Sequence, residues 1–203
     1  MHEVQFDPVR HEFRRDGILF PSVTQILRHA GKCNFDFVEQ DVLIHAQNRG
    51  QSVHWMCQLE DEGALNPRKV PKSLRGYRKA WKAFKANCGF IPDPEWTERK
   101  FASGYWYAGI IDRAGILGNT FAVVDLKTGP ITDAARLQLT AYTLAIEPRP
   151  ALASWIRRVA VRLNRNGTYN IREWDWRSYH QDLAEFFRMR DEWTPDRLKG
   201  GAN

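Results

Sequence analysis

The chain has 203 residues, 43% hydrophobic and 27% charged, with 30 Lys and Arg against 24 Asp and Glu and a formal net charge of +6. This content supports one folded domain over residues 1–203 and excludes a disordered or low-complexity chain. Three scattered cysteines, Cys33, Cys57 and Cys88, form no C-x-x-C pair, which excludes a zinc ribbon and an iron–sulfur cluster.

The positive balance suits a polyanionic partner. Sparse cysteines suit a reducing compartment. The first residues carry no apolar signal segment, and no run is apolar enough to span a bilayer. The expectation is a soluble cytoplasmic protein with no membrane partner.

In chain order, residues 4–20 predict a hairpin turning at Asp16-Gly17. Ser22 is placed to N-cap a helix over Val23–His29, ended by Gly31. A helical pattern runs from about Phe37 to Glu62, with a weak point at Gly50. Gly63 and Pro67 break it, and a second helix is predicted over Lys72–Asn87. Leu74, Tyr77, Trp81 and Phe84 form its apolar side, and Arg75, Arg78, Lys79, Lys82 and Lys85 lie on its other positions. Those cations are either a solvated face or a wall that neutralises phosphates.

After Pro92 and Pro94 the period changes to that of strands: Glu95–Phe101, Tyr105–Leu117 and Thr120–Lys127. Asp133–Ala145 reads as a helix stopped by Pro148. Ile156–Asn164 and Tyr169–Asp175 read as a hairpin turning at Asn166-Gly167, and Tyr179–Trp193 as a closing helix. The fold class is α/β, a central mixed sheet flanked by helices. Residues 1–94 form a mainly helical cap with the N-terminal hairpin, and 95–203 the sheet core.

The most informative stretch is Ile110–Lys127. Gly118-Asn119 is a two-residue turn signal with Gly first, as a type II′ turn prefers. That turn pairs Leu117 with Thr120, and the same register sets Asp112 opposite Asp125. Opposed residues have Cβ atoms about 4.5–5.5 Å apart, and like charges there repel. Such a pair needs protonation, a cation or water. Lys127 emerges on the same face, while Val124 and Leu126 point to the core. The patch suits Mg²⁺-assisted phosphodiester hydrolysis, in which carboxylates hold the ion and a lysine orients water and offsets phosphate charge. It equally fits a solvated hairpin with a cross-strand ion pair.

Gly109-Ile110-Ile111-Asp112, then Val123-Val124-Asp125-Leu126-Lys127-Thr128-Gly129, then Gln138 and Tyr142, resemble the PD-(D/E)XK nuclease superfamily in its RecB-like, phage-exonuclease branch. Arg49-Gly50-Gln51-Ser52-Val53-His54 is similar to that branch's G-x-x-x-H helix, and Phe20-Pro21-Ser22-Val23-Thr24-Gln25-Ile26-Leu27 to the opening segment of phage members. The resemblance spans residues 13 to 175 and implies a restriction-endonuclease-like core. It implies Mg²⁺ (Mn²⁺ substituting) held by Asp112, Asp125, the Leu126 carbonyl and His54, with Glu98 a further candidate. Lys127 would act on the attacking water, and Gln138 and Tyr142 would steady the site or touch a phosphate. Against this, His54 fits an ordinary half-buried histidine, Glu98 competes with Glu95, and Tyr142 fits a core ring.

The function it implies is DNA hydrolysis, as a phage-type exonuclease in recombination or repair, in the host cytoplasm if phage-encoded. A single-strand annealing or recombination protein is the implied partner, and the oligomeric state stays open. The alternatives are a structure-selective or site-specific endonuclease with the same core, and an inactive module of this fold that binds DNA or a partner.

Overall fold

The N-terminal signals act locally. Ser22 Oγ accepts from the Gln25 amide at 3.1 Å, and the Gln25 side chain accepts from the Ser22 amide at 2.8 Å, a reciprocal capping box. It starts a helix at the expected residue. The computed structural model describes residues 4–33 and 39–194. The predicted beginning of the next helix near Phe37 lies outside the described residues.

In chain order the elements are β1 (Gln5–Asp7), β2 (Glu12–Arg15), β3 (Ile18–Phe20), α1 (Val23–His29), α2 (Gln40–Asp61), α3 (Arg75–Cys88), β4 (Phe90–Pro92), β5 (Arg99–Ala102), β6 (Ala108–Ile111) and β7 (Arg113–Leu117). They continue with β8 (Thr120–Lys127), α4 (Ala134–Ile146), α5 (Pro150–Ala153), β9 (Arg157–Leu163), β10 (Tyr169–Trp174) and α6 (Tyr179–Asp191). The central sheet has the order β10-β9-β8-β7-β4, with β8 and β9 parallel and the other pairs antiparallel.

Alternation along β8 sends its side chains into two cores. Val124 and Leu126 join Val53, Met56 and Cys57 of α2 and Tyr77, Trp81 and Phe84 of α3. On the other face, Val123 and Ala160 pack with Ile26, Leu137, Ala141 and Phe186, from α1, α4 and α6. The result is an α/β arrangement, a mixed sheet flanked by helices. No described helix is long and apolar enough to cross a membrane.

Several expectations are corrected. The N-terminal hairpin is a three-stranded meander, β1-β2-β3, with Asp16 and Gly17 at φ 52° and 77° in the turn. α2 passes through Gly50 unbroken. A Cβ at Gly50 would lie 3.8 Å from Thr128 Oγ1, so α2 runs close to the end of β8 there. α3 begins at Arg75 rather than Lys72, because a turn closed by the Leu74 amide on the Pro71 carbonyl precedes it. The segment read as a loop at Pro92 contains β4, an edge strand, where a proline's missing N–H costs no ladder bond. Pro94–Trp96 is a short 3₁₀ turn capped by Asp93, so the strand expected from Glu95 starts at Arg99.

The largest difference concerns Tyr105–Leu117. It is not one strand but two, broken at Asp112. β6 pairs with β5 in a separate ribbon, while β7 joins the central sheet.

Close backbone approach locks α3 to the β9–β10 turn. A Cβ at Gly76 would lie 1.7 Å from the Arg165 carbonyl oxygen. Helix propensity favours alanine over glycine by about 1 kcal/mol, but this clash is with backbone and must move the turn. Gly76→Ala should therefore destabilise by at least about 2 kcal/mol, read as a lower urea midpoint. A midpoint at or above that of the parent would contradict this packing.

Candidate active site

The β7–β8 register is the expected one, running from Leu117↔Thr120 to Arg113↔Val124. Gly118 has φ 64°, as the first position of a type II′ turn requires. The ladder stops one pair short of the acids, which corrects the expectation that Asp112 and Asp125 face each other as a cross-strand pair. Asp112 sits in the break between β6 and β7, and its Oδ2 accepts from the Leu126 amide at 2.8 Å. Asp125 is registered with Ala160 of β9 instead. The carboxylate of Asp112 thus takes the place of a ladder partner for β8.

Neither acid relies on water, since Asp112 is 8% exposed and Asp125 1%. Each faces a cation. His54, reaching in from α2, sets Nδ1 3.4 Å from Asp112 Oδ1 and 3.7 Å from Glu98 Oε1. Lys127 Nζ lies 3.0 Å from Asp125 Oδ1 and 2.9 Å from Oδ2, and it also donates to Gln138 Oε1 at 3.1 Å. Gln138 Nε2 in turn donates to the Tyr142 hydroxyl at 2.9 Å. The i, i+4 spacing on α4 puts both on one face, as expected. Tyr142 is also a core ring, edge-on to Phe101 with centroids 5.6 Å apart.

The charges follow from these contacts. Burial opposes charge on His54, but Asp112 and Glu98 outweigh it and push the imidazole up to about 10. Burial likewise opposes charge on Asp112, and His54, Lys127 and the Leu126 amide overcome it, holding the carboxyl down to about 2. For Asp125 burial wins: with the charge of Asp112 added, and Lys127 pulling the other way, its carboxyl rises to about 6. Lys127 is held above its ordinary value because Asp125 and Asp112 outweigh its burial. It is an ammonium at neutral pH.

Two residues that the sequence reading passed over organise the centre. Arg113 is wholly buried. Its Nε donates to Asp61 Oδ2 at 2.8 Å and its Nη1 to Glu98 Oε1 at 2.8 Å. It also donates to the backbone carbonyls of Asp112 and His54. Asp61, at the end of α2, further accepts from Trp81 Nε1 at 2.8 Å and Lys85 Nζ at 2.6 Å. The signal was a charged residue inside an apolar strand, between Ile111 and Ala114. Glu98 itself has φ 49°, a left-handed conformation that costs a non-glycine residue about 1–3 kcal/mol.

The basic side of α3 is partly committed elsewhere. Arg78 pairs with Glu60 at 2.5 Å, Lys82 lies 3.9 Å from Glu60, Lys85 holds Asp61, and Arg75 donates to the Val70 carbonyl at 3.2 Å. Lys79 packs its stem on Gly167, with Cγ 3.2 Å from where a Cβ would stand.

The donor set fits a divalent cation. One atom each of His54, Glu98 and Asp112 lie within 4.8 Å of one another, the one such group among the described residues. His54 Nε2 is 2.9 Å from the Leu126 carbonyl. A proton there leaves the Nδ1 lone pair of the neutral ring facing the two carboxylates, the tautomer a ligand needs. This contact engages the Leu126 carbonyl, expected to be a ligand, with His54. Asp125 stands outside the group, beside Lys127; its Oδ2 is buried and lacks a hydrogen-bond partner despite the nearby ammonium.

No protein-family model matches the chain, and no curated protein matches it.

Two outcomes follow. Arg113→Met leaves Glu98 with only the longer contact to His54 and weakens the hold on Asp61, and should cost at least about 2 kcal/mol in urea unfolding. Arg113→Lys should recover little, because one ammonium cannot span those acceptors; recovery to parental stability would contradict the account. Below about pH 10, His54 carries a proton that a metal must displace. Mn²⁺ affinity should therefore rise with pH, roughly tenfold per unit per proton released. In the metal-free protein the raised histidine stabilises the fold below its ordinary value, and that contribution is lost as pH rises through about 10. Calorimetry in buffers of differing ionisation enthalpy counts the proton; pH-independent Mn²⁺ affinity would remove His54 from the metal shell.

Proposed function

We propose that this protein is a Mg²⁺- or Mn²⁺-dependent nuclease hydrolysing DNA phosphodiester bonds, a member of the PD-(D/E)XK superfamily with a restriction-endonuclease-like core. The observation that carries the reading is the juxtaposition on β8. Buried Asp125, paired with half-buried Lys127, stands next to a His54–Glu98–Asp112 group whose charges are set by its neighbours. A solvated surface hairpin would have left both aspartates in water, and here neither is exposed.

His54, Glu98 and Asp112 would hold the ion, with Asp125 at the edge of the shell offering an Oδ2 that makes no hydrogen bond. When bound, a divalent cation polarises a phosphoryl oxygen and makes water nucleophilic near neutral pH. Lys127 does the rest from the protein side. An ammonium has three donors; Asp125 and Gln138 engage two, leaving one to orient the attacking water or meet the phosphate. Because Lys127 stays protonated, it acts by positioning and by offsetting charge rather than by removing a proton. Gln138, steadied by Tyr142, keeps the ammonium in place. Arg113 acts one layer out, aiming Glu98 and closing the backbone around Asp112.

Within this class an exonuclease of recombination or repair is the favoured form, on the similarity of its motifs to the phage branch. Linear duplex DNA with Mg²⁺ should be degraded, EDTA should abolish this, and a covalently closed circle should survive. Lys127→Ala should lower kcat by about 10²–10³-fold while keeping Mn²⁺ binding. Metal-independent cleavage, or full activity in that variant, would overturn the mechanism. Cutting of the closed circle would convert the assignment to an endonuclease.

A further inference from the structure

The parallel pairing of β8 and β9 places Lys127 beside Arg162. Registered residues on parallel neighbours leave the sheet on the same face, with the strands about 4.8 Å apart. That face is the one packed by α4, where Val123 and Ala160 lie. A second cation therefore stands next to the lysine of the proposed catalytic pair.

The two cations differ in what balances them. Lys127 has Asp125. Among the described residues, Arg162 has no carboxylate within ion-pair distance and its side chain makes no hydrogen bond. Its Nε is buried without a partner, and it is the only described arginine of which this holds. The other arginines of β9 are satisfied, Arg157 by Glu173 and Arg158 by Asp182.

Among the described residues, the acids of α6 and at the start of α4 are already engaged. Asp133, at the start of α4, is bound by Arg136 and lies 3.7 Å from Arg172. Asp182 and Glu185 of α6 are held by Arg136, with Arg158 and Lys32 completing them. The residue registered with Arg162 on β10 is neutral Asn170, whose Oδ1 accepts from Asn164 at 3.0 Å.

A buried guanidinium donor without an acceptor costs stability. A water molecule could supply the acceptor, but it could not balance a positive charge set beside Lys127. An anion does both. A planar guanidinium matches the paired oxygens of a phosphate better than a carbonyl or hydroxyl does.

We propose that Arg162 is a substrate-binding residue that grips a backbone phosphate of the DNA strand being cut, alongside Lys127. This rests on reading the neighbouring centre as a DNA phosphodiesterase. It extends the substrate path from β8 across the α4 face to β9, away from the basic side of α3.

The test uses the full chain and a short fluorescein-labelled DNA duplex, with binding measured in EDTA over a salt series and cleavage in Mn²⁺. Arg162→Ala should weaken binding roughly tenfold and make the slope of log affinity against log salt shallower by about one unit. KM should rise, Mn²⁺ affinity should match the parent, and Arg162→Lys should restore the salt slope. If Arg162→Ala and Arg162→Gln bind and cleave with parental affinity and slope, the phosphate contact is overturned while the nuclease reading stands. If either variant loses Mn²⁺ affinity or melts early, Arg162 is structural and the proposal is again overturned. A parent chain that binds Mn²⁺ but neither binds nor cuts DNA overturns both the reading and the proposal.

Discussion

The buried guanidinium of Arg113 is the constraint around which the rest is arranged. A wholly buried charge persists only with its hydrogen bonds satisfied and its sign balanced. Arg113 meets that demand with Asp61 from α2, Glu98 from the segment before β5, and the carbonyls of Asp112 and His54. Those partners come from separate stretches of chain. Satisfying one side chain therefore brings α2, the β5–β6 ribbon and β7 to a common point, and that point lies next to both buried aspartates.

The candidate site is consequently a set of pre-arranged charges. Asp112 exchanges a strand partner for the Leu126 amide and the His54 imidazole. Buried Asp125 pairs with half-buried Lys127, and Gln138 steadies that lysine. Unpaired acids so deep would shed their charge; here the cations keep Asp112 ionised and leave Asp125 raised but close to balance. The left-handed backbone at Glu98 is a local cost offset by Arg113 and by the bond from its amide to the Asp112 carbonyl at 3.0 Å. A reaction that must place a cation and a phosphate against carboxylates gains from such an arrangement, because little has to reorganise when the substrate arrives.

What was legible in the chain tracks the range of the forces involved. Ser22 and Gln25 cap α1 within one turn of themselves, and the start of that helix is where the sequence puts it. Gly118-Asn119 sets the β7–β8 register residue by residue, because a two-residue turn leaves no other pairing. Gln138 and Tyr142 meet because α4 is a helix. Illegible were the break at Asp112, the edge strand β4 and the Arg113–Asp61 pair. In each, a partner far along the chain overrides a local preference. The strand pattern runs unbroken through Asp112, but the Asp112 carboxylate binds the Leu126 amide and Arg113 binds Asp61, 52 residues away. Likewise the cations of α3 read as free, whereas Arg78 and Lys85 are taken up by acids of α2.

The sequence by itself determined the starts of α1 and α6, the turn chemistry, the alternation that buries Val124 and Leu126, and the presence of two acids and a lysine at one end of a hairpin. Each of these depends on residues a few positions apart. Only the tertiary structure decided which acids share a centre. It put His54, Glu98 and Asp112 together, left Asp125 to Lys127, and stood Arg162 beside that lysine with no counter-charge among the described residues. The reason is physical: burial and charge balance are properties of assembled surroundings, and no spacing along the chain encodes the dielectric that a side chain meets once four elements close around it.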